Sequence, residues 1–506
     1  MSRRINRRRL LTAGLLTVPS VAAAAAGGLS WVYATADVDT AGRLRFTNRL
    51  AVPPLAPSTV DGSGRRVFEL RAAPGRSALR AGPPTRTWGV NGPLLGPTLR
   101  ANRGETVLVR VRNDLPEATS LHWHGMHLPA RMDGGPHQTV PAGGEWSPSW
   151  RIDQPAATLW YHPHPHEQTA RHTYRGIAGM FVIDDPAGPP AGLPHRYGVD
   201  DVPVIIQDKK FTDGNQFDES AHPMSGVGVV GDTVLVNGTV TPYLPVTTER
   251  IRLRLLNGSA ARAYRLGLAD DRPFALVGTD GGLLAGPHQT NRIQLTPGER
   301  AEIVVDLRPG ERVVLRSHPP ELGLIFWDGR FSGAHDTLDI LELRAADRLE
   351  PSPALPSRLA APPDLSSVPP AATRRFEMSG FKINGLSMDM NRIDFAATRD
   401  TVEVWEVVAL DDQLHNFHVH DTQFQVLSVN GAPPGPELSG WKDTVHTPQN
   451  VTLRLAMRFR DHTDRNMPYM FHCHVLYHED QGLMGQFVVV EPGQTAGRPS
   501  ADHQHG

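Results

Sequence analysis

Cysteine is almost missing from this chain: Cys473 is the only one among 506 residues. One thiol can close no internal disulfide, and a structural zinc site would normally recruit more thiolates. Charge of one sign is lacking too. A formal net charge of -2 with 21% charged residues carries no polyanion-binding signature, so nucleic acid is not an expected partner. Past the first thirty residues no apolar run is long enough to span a bilayer. Glycine (48) and proline (45) are plentiful instead, with Val-rich runs recurring between turn clusters. That composition points to an all-β protein, and the length suits roughly three domains.

At the N-terminus, Arg7-Arg8-Arg9-Leu10-Leu11 precedes an alanine-rich apolar run that ends near Leu29. Residues 1–35 read as a twin-arginine export signal, with an uncleaved membrane anchor as the alternative. The signal predicts recognition by the twin-arginine machinery and a periplasmic, cell-surface or secreted protein. In an exported protein a single thiol is reactive, intermolecular or a metal ligand.

Turn clusters and composition divide the remainder. A Pro-rich lead-in, Thr40 to Ser58, opens a first domain over 40–190, with strands expected at Arg65 to Leu70, Thr106 to Arg112 and Gly179 to Asp184. A second domain, 194–345, has strands expected at Val202 to Gln207, Ile251 to Leu256 and Ala301 to Leu307, carries no paired histidines, and reads as structural. A Pro-rich linker, 349–370, leads to a third domain, 371–492, with strands expected at Thr401 to Val408 and Gln423 to Val429. Residues 493–506, with His503 and His505, read as a disordered tail.

Histidine supplies the chemistry. Four His-x-His pairs occur, at His122/His124, His162/His164, His418/His420 and His472/His474, and the last pair encloses Cys473. Side chains two apart on a strand share a face, so each pair presents two imidazoles together. Aligning the domains as internal repeats places Leu266 and Leu268 of the second domain where the others have His122/His124 and His418/His420; Pro163 falls opposite Cys473, and Thr119 opposite His415. Only the third domain can therefore combine the thiolate with His415 and the distal His478. A soft thiolate with imidazoles suits a copper centre cycling between Cu(I) and Cu(II). The eight paired imidazoles suit several further metal ions around an exogenous ligand such as dioxygen, which needs four electrons and four protons to become water. On the strand Cys473 faces one way and its two neighbours the other, so a few backbone bonds connect the two sites. Ordinary packing of a buried cysteine and core histidines is the bland alternative.

These motifs, in order and spacing over nearly the whole chain after the signal, resemble the multicopper oxidases, three-domain proteins of cupredoxin (Greek-key β-sandwich) fold of the laccase and bilirubin oxidase type. Arg171-His172-Thr173-Tyr174-Arg175-Gly176 is similar to the bacterial spore-coat and bilirubin-oxidase-like branch. The resemblance implies four copper ions: one type 1 ion on His415, Cys473 and His478, one type 2 ion on His122 and His418, and a type 3 pair on His124, His162, His164, His420, His472 and His474. It also implies that Glu479 and Asp133 donate protons, with turn chemistry at Asp133 and a hydrogen-bonding role at Glu479 as alternatives. Where many bacterial members have an axial methionine, this chain has Leu483, with Met484 one residue further; a three-coordinate copper of raised potential is the expectation, with a backbone bulge that brings Met484 to the metal as the alternative. With Met at only 12, and Met388 and Met390 explicable as packing, phenolic or other aromatic donors are favoured over Cu(I). Asp411 and Asp412, ahead of His415, could accept a proton or attract a cation. Oxidation of Cu(I) or another metal ion, and copper binding without turnover, are the rival readings.

Overall fold

The computed structural model describes residues 36–499; the export segment, His503 and His505 lie outside them. Strands form where the alternation called for them. In Thr106–Asn113, Val107, Val109 and Val111 enter the core while Arg110 and Arg112 face solvent. Six sheets result, two in each third of the chain, and one apolar cluster joins the two sheets of each pair.

The internal repeat is visible in the topology. Each unit contains a parallel pair joined by a crossover: Arg66–Ser77 with Thr106–Asn113, Asp201–Lys209 with Arg250–Asn257, and Ala372–Ser379 with Thr401–Ala409. A second parallel pair closes each facing sheet: Leu99–Asn102 with Gly179–Asp184, Pro242–Thr248 with Leu338–Glu350, and Phe395–Thr398 with Met484–Val490. Parallel neighbours cannot be joined by a tight hairpin, so the chain passes between sheets as a Greek key does.

The lead-in behaves differently from expectation. Asn48–Arg49 pairs in parallel with Pro242–Thr248, and Leu50 is buried in the second unit's core, with Val38 and Val52 packed against it. These apolar side chains find an open sheet edge on the second unit rather than the first. The Pro-rich linker is also strapped down: Leu355 and Leu359 pack beside Leu193 and Val277, and the Leu359 amide donates to Ala285 O at 2.9 Å. In the tail, the Gly497 amide donates to Arg465 O at 2.8 Å.

Helices are few and short. Thr169–Arg175 of the first unit meets Leu476–Asp480 of the third, where the Asp480 carboxylate accepts from the Thr169 and Ala170 amides at 2.8 and 3.0 Å. Among the described residues no helix is long and apolar enough to cross a membrane.

Candidate metal centre

Strand alternation builds the site. In His122–His124 the middle residue, Trp123, is buried in the first unit's core, so the histidines on either side project from the opposite face. In the third unit Phe417 and Val419 enter the core and leave His418 and His420 outside it; Phe471 and Cys473 do the same for His472 and His474. Backbone pairing sets His162 opposite His122 and His472 opposite His418. The imidazole faces of the first and third units then meet. His122 stacks on His420 with ring centroids 3.9 Å apart, and His124 on His418 at 3.8 Å.

Their hydrogen bonds decide which nitrogens are available. His162 Nδ1 donates to Pro163 O (2.8 Å), His472 Nδ1 to Cys473 O (3.1 Å), and His420 Nδ1 to Asp133 Oδ2 (2.7 Å). Each Nε2 is left with a lone pair and no hydrogen. Nevertheless His420 Nε2 and His472 Nε2 lie 3.1 Å apart, and His472 Nε2 is 3.2 Å from His164 Nε2. Lone pairs facing each other in a buried site repel unless a cation sits among them. His122 and His418 tell the same story: each donates Nδ1 to a carbonyl, Asp133 O at 3.0 Å and Asp443 O at 2.8 Å, while each Nε2 is buried with no partner. Burial, reinforced by neighbouring rings, pushes His124, His162, His164, His418 and His472 well below the ordinary imidazole range. Burial likewise brings His420 to about 4 and His474 to about 3. Neutral imidazoles with convergent lone pairs are what a cluster of transition-metal ions requires.

Beyond Cys473 the chain leaves the strand and makes the turn of helix Leu476–Asp480, which returns His478 to the sulfur. Cys473 Sγ is 3.7 Å from His478 Nδ1, and His415 Nδ1, buried without a hydrogen-bond partner, completes a three-residue cluster. The outer nitrogens are occupied: His415 Nε2 bonds Asp411 Oδ1 at 2.6 Å and His478 Nε2 donates to Gly226 O at 2.9 Å. Burial opposes ionisation of the thiol, but His415 and His478 bring it down to about 6. Leu483 belongs to the apolar cluster enclosing Cys473, and its carbonyl accepts the Cys473 amide at 3.1 Å. Met484 stands opposite His472 in the strand pair and lines a small pocket with Phe376 and Phe395.

Two carboxylates approach the histidine cluster. Asp133 accepts from His420; burial would raise its pKa, but His420 and His122 hold it below the usual carboxylate range. Glu479 presents two oxygens without hydrogen-bond partners at 3.3 Å from His164 Nδ1 and 3.2 Å from His472 Nδ1, and burial pushes its carboxyl well up.

Several contributors went unrecognised in the sequence. Asp443 Oδ1 bonds His124 Nε2 at 2.9 Å and is gripped by Arg300 of the second unit, with both guanidinium contacts at 2.6 Å. Gly125 fits there because a Cβ would collide with Asp443 and Arg300. Asn416 Oδ1 accepts the His474 amide at 2.6 Å, and its Nδ2 donates to Pro297 O at 2.8 Å. The second unit therefore positions histidine-bearing segments, although it holds none of the paired histidines. The available signal was Lys442-Asp443, a charged pair directly ahead of the short strand Thr444–His446.

Three cupredoxin-like domains, with a Cys-His-His cluster in the third and eight imidazoles gathered between the first and third, define a class of copper protein. The chain belongs to the multicopper oxidase family: profiles of that description match residues 72–188, 206–312 and 359–493. It is 36% identical over 452 residues to multicopper oxidase mco of Staphylococcus haemolyticus, covering 87% of this chain and 92% of that protein. It is 37% identical over 459 residues to the cell division protein FtsP of Edwardsiella tarda, covering 89% and 95%. Among solved structures, a laccase from Pediococcus acidilactici matches with a TM-score of 0.79 and 35% identity over 88% of this chain and 94% of that one. Membership supports copper binding and copper-dependent oxidoreductase chemistry with dioxygen and a reducing substrate.

Proposed function

We propose that the chain is a laccase-like oxidase that takes single electrons from an aromatic donor and reduces dioxygen to water. His415, Cys473 and His478 would hold the type 1 copper, and His122 and His418 the type 2 copper. His124, His162, His164, His420, His472 and His474 would hold the type 3 pair, four ions in all. When bound, the coppers supply one-electron acceptance at the thiolate and joint four-electron reduction at the cluster. The observation that carries this reading is the set of partnerless or mutually facing imidazole nitrogens, directly flanking the only thiol. The relatives include a cell division protein; retention of every proposed ligand here favours turnover over a purely structural role.

The chain's own groups arrange the rest. Gly226 and Asp411 occupy the outer nitrogens of His478 and His415, so a donor meets the partly exposed Asp411 carboxylate rather than a bare imidazole. Beside Gly226, Asp411 and His478 in the chain stand Met224, Leu410 and Tyr477, three of the nine exposed large apolar side chains among the described residues. An apolar rim around one acceptor fits a phenolic hydroxyl on a ring. Glu479 would deliver protons from the oxygens beside His164 and His472, and Asp133 would hold His420 through Oδ2 while taking up and passing on protons at its unpartnered Oδ1. The Arg7-Arg8 segment supports export by the twin-arginine route.

Copper-replete protein is expected to be blue and to consume dioxygen with a phenol in a ratio of four electrons per molecule. Colour without oxygen uptake would return the protein to electron transfer or copper buffering. A screen that adds Cu(I), Mn(II) and tetrapyrroles tests the metal-oxidase reading, for which Asp411 offers a cation-attracting carboxylate.

A further inference from the structure

A second histidine–carboxylate cluster lies apart from the proposed copper ligands, where the loop after His122–His124 meets two loops of the third domain. His127 is buried, and its ring centroid lies 4.8 Å from that of His462. One carboxylate oxygen serves both rings: Asp461 Oδ1 is 2.5 Å from His127 Nε2 and 3.6 Å from His462 Nε2. Behind His127, fully buried Asp421 accepts from Nδ1 at 2.8 Å. That bond holds the ring with Nε2 turned toward Asp461, as a carboxylate behind a metal-bound histidine does, and a cation bound there takes the place of the proton that Nε2 shares with Asp461. The donor atoms of a tetrahedral zinc site lie about 3.3 Å apart, from metal–nitrogen and metal–oxygen bonds of about 2 Å. The separations from Asp461 Oδ1 to the two rings straddle that value, and Asp461, with a side chain 45% exposed, is free to adjust by the difference. His462 is 24% exposed, leaving the site open to solvent cations. Asp421 and Asp461 together outweigh the one nearby cation, Arg460, which is engaged with Asp153.

We propose that His127, His462 and Asp461 form a site for a borderline divalent cation, Zn2+ or Cu2+, which clamps the first domain to the third. Two imidazoles and one carboxylate suit those ions over Mg2+ or Ca2+, which take all-oxygen shells. Asp421 is the positioning residue; it directly follows His420, so the clamp sits at the margin of the histidine cluster.

The test uses full-length, copper-replete protein exposed to ZnCl2, desalted and analysed for metal. One zinc per chain beyond the copper is expected. His462→Ala and Asp461→Asn should weaken its binding at least about tenfold, with copper content and blue colour unchanged, since neither residue is a proposed copper ligand. A parallel arm with Cu2+ should add one copper with its own paramagnetic resonance signal, absent from His462→Ala. Wild-type protein that retains no zinc, or variants that retain it equally, would overturn the proposal. Because the comparison reads zinc retention, it stands or falls separately from the oxidase reading.

Discussion

Arg300 is the residue whose loss should be felt in all three domains. Its side chain is fully buried and donates to Thr158 O of the first domain (2.9 Å), to Asp280 O and Gly298 O of the second (2.9 and 3.1 Å), and to both oxygens of Asp443 of the third (2.6 Å each). Arg300→Met keeps much of the volume but strands Asp443 as a buried carboxylate, which typically costs about 3–5 kcal/mol. Three carbonyls also lose a donor, each loss costing about 1 kcal/mol where water cannot replace it. A destabilisation of about 4 kcal/mol or more is therefore expected. It should be measured by denaturant unfolding of copper-free protein, so that metal binding does not add to the stability of the native state. The double variant Arg300→Met/Asp443→Asn removes the stranded charge and should regain about 2 kcal/mol, because the larger share of the loss is the unpaired charge. The reasoning fails if Arg300→Met costs less than about 1 kcal/mol, or if the double variant is no more stable than the single one.

Other consequences can be checked separately. Leu483→Met puts a thioether into the apolar cluster around Cys473. It should lower the type 1 potential by at least about 60 mV, a tenfold change in a one-electron equilibrium; a redox titration showing no change would remove Leu483 from the axial position. Glu479→Gln keeps the shape but cannot donate a proton, and should slow oxygen reduction about 10²-fold or more while leaving reduction of the type 1 copper by the donor unaltered. Stopped-flow measurement of the two half-reactions separates these effects. His127 provides a pH signature. Burial opposes its protonation, yet Asp421 and Asp461 raise its pKa from 6.5 to about 9. Its contribution, about 3 kcal/mol at most from that difference, is fully present below pH 6.5 and disappears as the pH rises through 9. Melting curves of wild type and His127→Gln in zinc-free buffer should diverge at pH 6 and converge above pH 9. Parallel curves across that range would contradict the assignment.

What the sequence determined by itself is whatever repeats with a period. In His122-Trp123-His124, His418-Val419-His420 and His472-Cys473-His474, alternation assigns imidazoles to one face and an apolar or sulfur side chain to the other, and the structure keeps that division. The internal repeat and the lost histidines at Leu266 and Leu268 were legible for the same reason, whereas the parallel pairing of the repeated strands came only with the structure. Tertiary structure alone decided which single residues complete the site. Arg300, at the start of one strand, and Asp443, just ahead of another, are 143 positions apart and are one charge each until the second domain is docked. Gly226 and Asn416 act through a backbone carbonyl and an amide that no motif marks. The lead-in joined the second domain because Leu50 found an apolar groove and Asn48 a free strand edge there, and neither exists until the chain has folded. Local periodicity is written in neighbours along the chain; pairing of isolated charges and edges depends on distances that only packing sets.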